Sequence, residues 1–137
     1  MDERICLFLK GSIIAVIAAQ SEDGPYCFSC FFAFDEESNS IIFKSSENTQ
    51  HAKFLSADSR TAGCVNSSET SVTHLKGIQF IGSCFSIKTE DSLIACYKKK
   101  YPFAVFKSGD YWNISLNEVK FTDNRLGFGT KLTWKRT

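Results

Sequence analysis

The chain has no excess of either charge: 16 Lys+Arg stand against 15 Asp+Glu, a formal net of +1. No global field argues for nucleic acid or an anionic membrane, so any anion site must be built locally. A long apolar run is also missing. The stretch Ser12-Ile13-Ile14-Ala15-Val16-Ile17-Ala18-Ala19 falls far short of the roughly 20 residues a spanning helix needs. The opening Met1-Asp2-Glu3-Arg4 is charged and does not read as a signal peptide. These absences lead to the expectation of a cytoplasmic protein with neither nucleic acid nor membrane as partner. No G-x-G-x-x-G follows a strand, which leaves a dinucleotide-binding Rossmann unit unsupported, and there is no P-loop, H-E-x-x-H or G-x-S-x-G. Internal repeats and low-complexity linkers are absent as well.

What is there is apolar and aromatic: 137 residues, 43% hydrophobic and 14% aromatic, with 13 Phe. One domain over 1–137 is expected at this length. A chain of this size buries only about two-thirds of its unfolded surface, leaving an apolar envelope that a partner subunit could cover. Six cysteines, Cys6, Cys27, Cys30, Cys64, Cys84 and Cys96, are expected to be free thiols in a reducing compartment. Cys27-Phe28-Ser29-Cys30 has the spacing of a redox or zinc pair. It lies in a stretch that reads as strand, where residues three apart point to opposite faces, and no second C-x-x-C completes a metal site. The cysteines therefore read as small buried hydrophobes, and no metal is expected.

The pattern is mainly β with two or three short helices inserted, a small barrel rather than a βαβ sheet. Residues 2–10 read as a helix with acid at its start and Gly11 beyond its end. Residues 12–19 read as a buried strand that turns through Gln20 to Pro25 into a return strand from Tyr26 to Phe34, followed by a third strand at Ile41 to Lys44. Asn48 or Thr49 caps a helix carrying Phe54 and Leu55. Arg60 to Val65 and His74 to Lys88 read as strands, the second with Gly77 and Gly82 where a bulge or bend belongs. Thr89-Glu90-Asp91-Ser92 opens a helix that ends in Lys98-Lys99-Lys100 before Tyr101-Pro102, and the lysines read as a solvated helix end. Trp112 to Phe121 is a strand, Thr122-Asp123-Asn124 a turn, and Leu126 to Trp134 a closing strand.

One junction gathers chemistry. Lys44, Ser45, Ser46, Thr49, His51 and Lys53 bring two firm cations, three hydroxyls and the free N–H groups of a helix start to one place, which suits a phosphate dianion. Each also has a plainer reading, as cap or solvated lysine. His51 sits three and four residues before Phe54 and Leu55, so it reads equally as ligand or as packed core histidine. His74, at the start of a strand, has no acidic or histidine neighbour at ligand spacing. Trp112, Phe121 and Trp134 could stack on a flat cofactor, although barrel-strand aromatics are more often core or interface.

Four stretches carry a resemblance: Thr49-Gln50-His51-Ala52, Lys76-Gly77-Ile78-Gln79-Phe80-Ile81-Gly82, Tyr101-Pro102-Phe103-Ala104, and Glu118 through Gly129 followed by Lys131 and Trp134. In this order they resemble the flavin-binding split-barrel proteins related to pyridoxamine 5′-phosphate oxidase, and within them the small YhbP group. The resemblance implies a mainly β fold, a split barrel of six or more antiparallel strands, that forms a homodimer with FMN in grooves between subunits. It places the flavin phosphate at Lys44, Ser45, Ser46, Thr49, His51 and Lys53. The ring then lies along Phe28, Ser29, Cys30 and Phe31, which contribute main-chain contacts, with Gln79 approaching the phosphate or ring edge. Trp112 and Phe121 are weaker candidates for the partner's contribution. A true oxidase of that kind is longer and carries an arginine-histidine pair near its end, whereas this chain ends Trp134-Lys135-Arg136-Thr137. Gln50 also stands where a phosphate-binding arginine is common, which implies weaker flavin affinity. An FMN-dependent oxidoreductase of unknown substrate is the expectation, with a non-catalytic flavin- or haem-binding, stress-related dimer as the alternative. For haem, the available axial ligands are His51, His74, Met1 and the cysteines.

Overall fold

The computed structural model describes residues 1–89 and 91–137; Glu90, at the expected opening of the third helix, lies outside the described residues. Helix α1 (Glu3–Gly11) leads into β1 (Ile14–Ser21), β2 (Gly24–Asp35) and β3 (Ser40–Ser45). Helix α2 (Gln50–Ala57) and strands β4 (Arg60–Asn66) and β5 (Lys76–Ile87) follow, then α3 (Ser92–Lys100), β6 (Asp110–Asp123) and β7 (Lys131–Lys135). The sheet runs β3-β2-β1-β4-β5-β6-β7, and β3 also pairs with β6, which closes a six-stranded antiparallel barrel. Closure uses the first part of β6, Asp110 to Ser115, while β7 pairs further along at Glu118 to Thr122.

Alternation along each strand sends one set of side chains inward. Ile17, Phe32, Ile41, Phe43, Ile114, Leu116 and Val119 are fully sequestered in the core. Glycine makes room at two close approaches. A Cβ on Gly63 would lie 2.3 Å from the Phe80 ring and 2.5 Å from the Val16 carbonyl oxygen, and one on Gly82 would lie 2.5 Å from the Ser115 carbonyl oxygen. Gly82 marks the bulge expected there: the β5–β6 register shifts between Ile81 and Gly82. The helices plug and clad the barrel. Ile5, Cys6 and Leu9 of α1 and Ala52 and Leu55 of α2 enter the main core, while Tyr97 of α3 and Tyr101 pack with Ala33 and Ile42 on the outer side of the β2–β3 hairpin.

The structure corrects three expectations. The last strand begins at Lys131 rather than Leu126, because Gly127 and Gly129 take φ of 115° and 81° in a turn that no extended strand accommodates. It does not close the barrel, since the β3–β6 pairing does. His74 belongs to a short 3-10 turn at Val72–His74 ahead of β5. Of the cysteines, Cys6 and Cys84 are buried, whereas Cys27 is exposed because it points outward from β2 while Cys30 points inward.

Candidate functional site

The barrel is split between β2 and β3. The two strands pair only from Phe32↔Phe43 to Asp35↔Ser40, although β2 continues back to Gly24 in register with β1. Along Gly24 to Phe31 the β3-side edge has no partner strand among the described residues. The Phe32 N–H donates to the Ile13 carbonyl at 3.0 Å on the β1 side. Alternation along the strand therefore aims the main-chain groups of Ser29 into the split. Backbone donors and acceptors that a strand normally consumes are here left for something else.

A groove of about 310 Å³ occupies this split, lined by Ile14, Ser29, Cys30, Phe31, Lys44, Ser45, His51 and Tyr97. That volume is at the lower end of small-molecule sites. Six of the twelve residues singled out from the sequence therefore line one groove. Phe28 adjoins it, stacked on the His51 imidazole with ring centroids 3.8 Å apart. Burial pushes the Cys30 thiol and the Tyr97 hydroxyl up to about 12, so both present neutral surface. Sequence reading missed Ile14 and Tyr97. Tyr97 had shown only as the apolar side of a helix, and nothing local reports that α3 docks beside the split.

At one end of the groove β3 turns into α2. Thr49 caps the helix: its Oγ1 accepts from the Ala52 N–H at 3.3 Å and donates to the Ser46 carbonyl at 2.8 Å. The Ser46 hydroxyl accepts from the Asn48 N–H, and the Ser45 hydroxyl lies 2.6 Å from His51 Nε2 and 3.4 Å from Thr49 Oγ1. The first turn of α2 contains no acidic residue. Among the described residues, the N–H groups of Gln50 and His51 have no protein acceptor. Burial lowers the His51 pKa, so the ring is neutral at pH 7. The imidazole is thus both half-buried packing and a polar member of the turn, which joins the two readings its sequence position allowed.

Four expected site residues sit differently. The Lys44 ammonium donates to the carbonyls of Ala104, at 2.7 Å, and Lys107, so a residue that lines the groove spends its charge on the 102–107 segment. Lys53 is exposed on α2 and does not line the groove. Trp112 is buried and stacked on Phe43. Its indole N–H donates to the Ser45 carbonyl at 3.2 Å, so it acts on the turn from within the core and presents no face to a ligand. Gln79 points outward from β5 between Cys64 and Lys120, away from the groove of its own subunit. Among the described residues no group of three or more His, Cys, Asp or Glu is arranged to hold a metal ion.

Between the groove and Gln79 lies an outer sheet face without charge. One row crosses it through Ser29, Val16, Cys64 and Gln79 to Lys120, and a second through Cys27, Ala18, Ala62 and Ile81 to Glu118. Ile14, Val16, Phe31 and Ile81 stand exposed there.

This architecture, a closed six-stranded barrel with one split edge and helices against it, is that of the flavin- and haem-binding split-barrel proteins. An FAD-binding protein from Mesorhizobium loti superposes with a TM-score of 0.73 at 10% identity, over 88% of this chain and 92% of its own. HutZ, the haem storage protein from Vibrio cholerae, gives 0.70 at 11% identity, over 89% and 93%. A haem-binding protein from Mycobacterium smegmatis gives 0.75 at 13% identity over 90% of this chain, which spans about half (53%) of that longer chain. No family model matches the sequence. The protein named UPF0306 protein YhbP from Escherichia coli O127:H6 is 36% identical over 134 residues, 96% of each chain, and its counterpart from Escherichia fergusonii is 33% identical over 135 residues, 97% of this chain and 92% of its own. The chain belongs to the YhbP family.

Proposed function

We propose that the chain is a homodimeric FMN-binding protein that holds the flavin in the β2–β3 split and works as an oxidoreductase. The observation that carries this reading is the interrupted pairing beyond Phe32. It gives a flat, apolar-sided groove with main-chain groups on one wall and an anion-ready turn at one end. Ser29 and Phe31 border the ring. The Ser45 and Ser46 hydroxyls and the N–H groups of Gln50 and His51 hold the phosphate, and Lys53 adds charge from the surface of α2. The uncharged outer face continuous with the groove is the dimer face, where a second copy covers Ile14, Val16 and Ile81.

The bound flavin supplies the redox chemistry, while these residues bind, orient and exclude water. Cys30 and Tyr97 stay protonated at the groove floor and contribute shape and low polarity. Six free thiols suit a reducing cytoplasm, and among the described residues no helix is long and apolar enough to cross a membrane.

Two of the structural neighbours are named for haem, and His51 is the one histidine at the groove. Its Nε2 is already engaged by Ser45, so axial ligation through that nitrogen would break that contact. Flavin is therefore the better-supported ligand. The visible spectrum of the purified protein, taken alone and after loading with FMN, tests the choice. Flavin bands that bleach with NADH or NADPH under anaerobic conditions support the oxidoreductase. Flavin bands without bleaching leave a flavin carrier, and a Soret band that shifts in His51→Ala overturns the reading in favour of haem.

A further inference from the structure

The most exposed large apolar side chain among the described residues is Phe106, 92% exposed at the end of the 3-10 turn Pro102–Phe106 that joins α3 to β6. Phe103 and Val105 of the same turn are 53% and 63% exposed, while Ala104 between them is buried with Tyr97 and Tyr101. Single apolar residues are ordinary on a protein surface; three on one short turn form a patch.

The backbone of this turn is satisfied from beneath. The Ala104 N–H donates to the Tyr101 carbonyl at 3.0 Å, and the Lys107 N–H to the Ala104 carbonyl at 3.2 Å. The Lys44 ammonium takes the carbonyls of Ala104, at 2.7 Å, and Lys107. Two carbonyls that an exposed turn would leave to water are thereby held on the protein side, which removes part of the penalty for moving the turn out of water.

The charge around the tip has one sign. From Ser92 to Gly109 the sequence carries Lys98, Lys99, Lys100 and Lys107 and neither Asp nor Glu. The flanking carboxylates are Asp91, which caps α3, and Asp110, where β6 begins. Lys100 turns inward to the Ser12 carbonyl, whereas Lys99 and Lys107 are exposed. The Lys107 ammonium stands 5.9 Å from the centre of the Phe103 ring, so cation and apolar tip lie side by side. With a formal net of +1 for the whole chain, attraction to an anionic surface has to come from a local patch of this kind. Apolar side chains rimmed by lysine match a bilayer with anionic headgroups: the rings enter the acyl boundary and the ammonium groups stay at headgroup level.

We propose that the 102–107 segment docks the protein on an anionic phospholipid surface, with Phe103, Val105 and Phe106 inserted among the headgroups and Lys99 and Lys107 against their phosphates. The Tyr101 ring meets Phe103 on one side and Phe31 on the other, which ties the tip to the rim of the groove and brings the β2–β3 split beside the membrane. The inference does not rest on the flavin reading.

Co-sedimentation of the full chain with vesicles of phosphatidylcholine alone, and of phosphatidylcholine mixed with an equal part of phosphatidylglycerol, tests it. The wild type is expected to pellet with the mixed vesicles, to leave them as salt is raised, and to ignore phosphatidylcholine alone. Phe106→Asp, and separately the double variant Lys99→Glu with Lys107→Glu, are expected to bind the mixed vesicles about tenfold or more weakly. Melting temperatures should be unchanged, because these side chains are exposed. Val105→Asp repeats the apolar test should Phe106→Asp fail to fold. A wild type that pellets with neither composition, or aspartate variants that pellet as the wild type does, overturns the proposal. Equal binding to both compositions removes the lysines from the account and overturns it as well. If the wild type ignores vesicles and Phe106→Asp splits a wild-type assembly in sedimentation, the turn is a contact between copies of the chain and the lipid surface is overturned.

Discussion

Phe28 of β2 and His51 of α2 lie face to face, ring centroids 3.8 Å apart and planes 8° from parallel. That contact holds the unpaired edge of β2 against the helix that ends the groove. Because Nε2 of the same imidazole is 2.6 Å from the Ser45 hydroxyl, one side chain ties the split strand, the helix and the turn together. Truncation in His51→Ala is expected to weaken FMN binding by about 1 to 3 kcal/mol, and Lys53→Ala to weaken it in the same range if its ammonium reaches the phosphate. Calorimetric titration measures both, and unchanged affinity in the two variants would place the phosphate elsewhere.

Acid is expected to destabilise the fold through this ring. Burial depresses the His51 pKa below the usual histidine value, so the unfolded chain takes up the proton first as pH falls. The stability associated with a neutral His51 is full above the unfolded-state value of about 6.5 and declines as pH drops toward the lower folded-state value. His51→Phe keeps a ring on Phe28 and cannot titrate. Urea melts between pH 8 and 5 should show a shallower loss for the variant than for the wild type, and parallel curves would contradict the assignment.

The cap on α2 should be separable from the barrel. Thr49→Ala removes the oxygen that accepts from the Ala52 N–H and is expected to cost about 1 kcal/mol of stability. Hydrogen exchange should quicken in the first turn of α2 and not in β4 or β5. Uniform quickening would mean that the helix start is not an independent unit.

The Phe80 ring occupies the space a side chain on Gly63 would need, and the Val16 carbonyl closes the other side. Gly63→Ala therefore forces the backbone, not merely a flexible side chain, to move. A loss of about 1 to 3 kcal/mol is expected in denaturant melts, and a neutral outcome would show that β1 and β4 part more easily than the pairing implies.

The outer face can be tested without touching the core. Val16 points away from the barrel on β1, so Val16→Asp should fold. Sedimentation is expected to show a monomer, and FMN affinity should fall with dimer content. A monomer that binds FMN as well as the wild type would make the groove self-sufficient.

Much of this fold was legible because it is written locally. The Thr49 cap, the acidic start of α1 at Asp2 and Glu3, and the Gly82 bulge each follow from residues within a few positions of one another. Closure of the barrel by β3 and β6 joins segments some seventy positions apart in the chain, such as Ile41 and Ile114, and no local pattern announces it. The candidate site divides in the same way. Ser45, Thr49 and His51 lie close together in the chain and are legible as one junction, whereas Ser29 to Phe31 join them only through the family resemblance. The engagement of Lys44 depends on carbonyls of Ala104 and Lys107, and the packing of Trp112 depends on Phe43, contacts that no local pattern reports.

The most direct measurement is a titration of the purified wild-type protein with FMN, following the flavin absorption bands and the unfolding temperature together. Saturable binding with perturbed bands and a rise in Tm that grows with FMN concentration is expected, as linkage requires of a ligand that binds the native state. No saturation and no rise in Tm at concentrations well above micromolar would contradict a flavin site at the β2–β3 split.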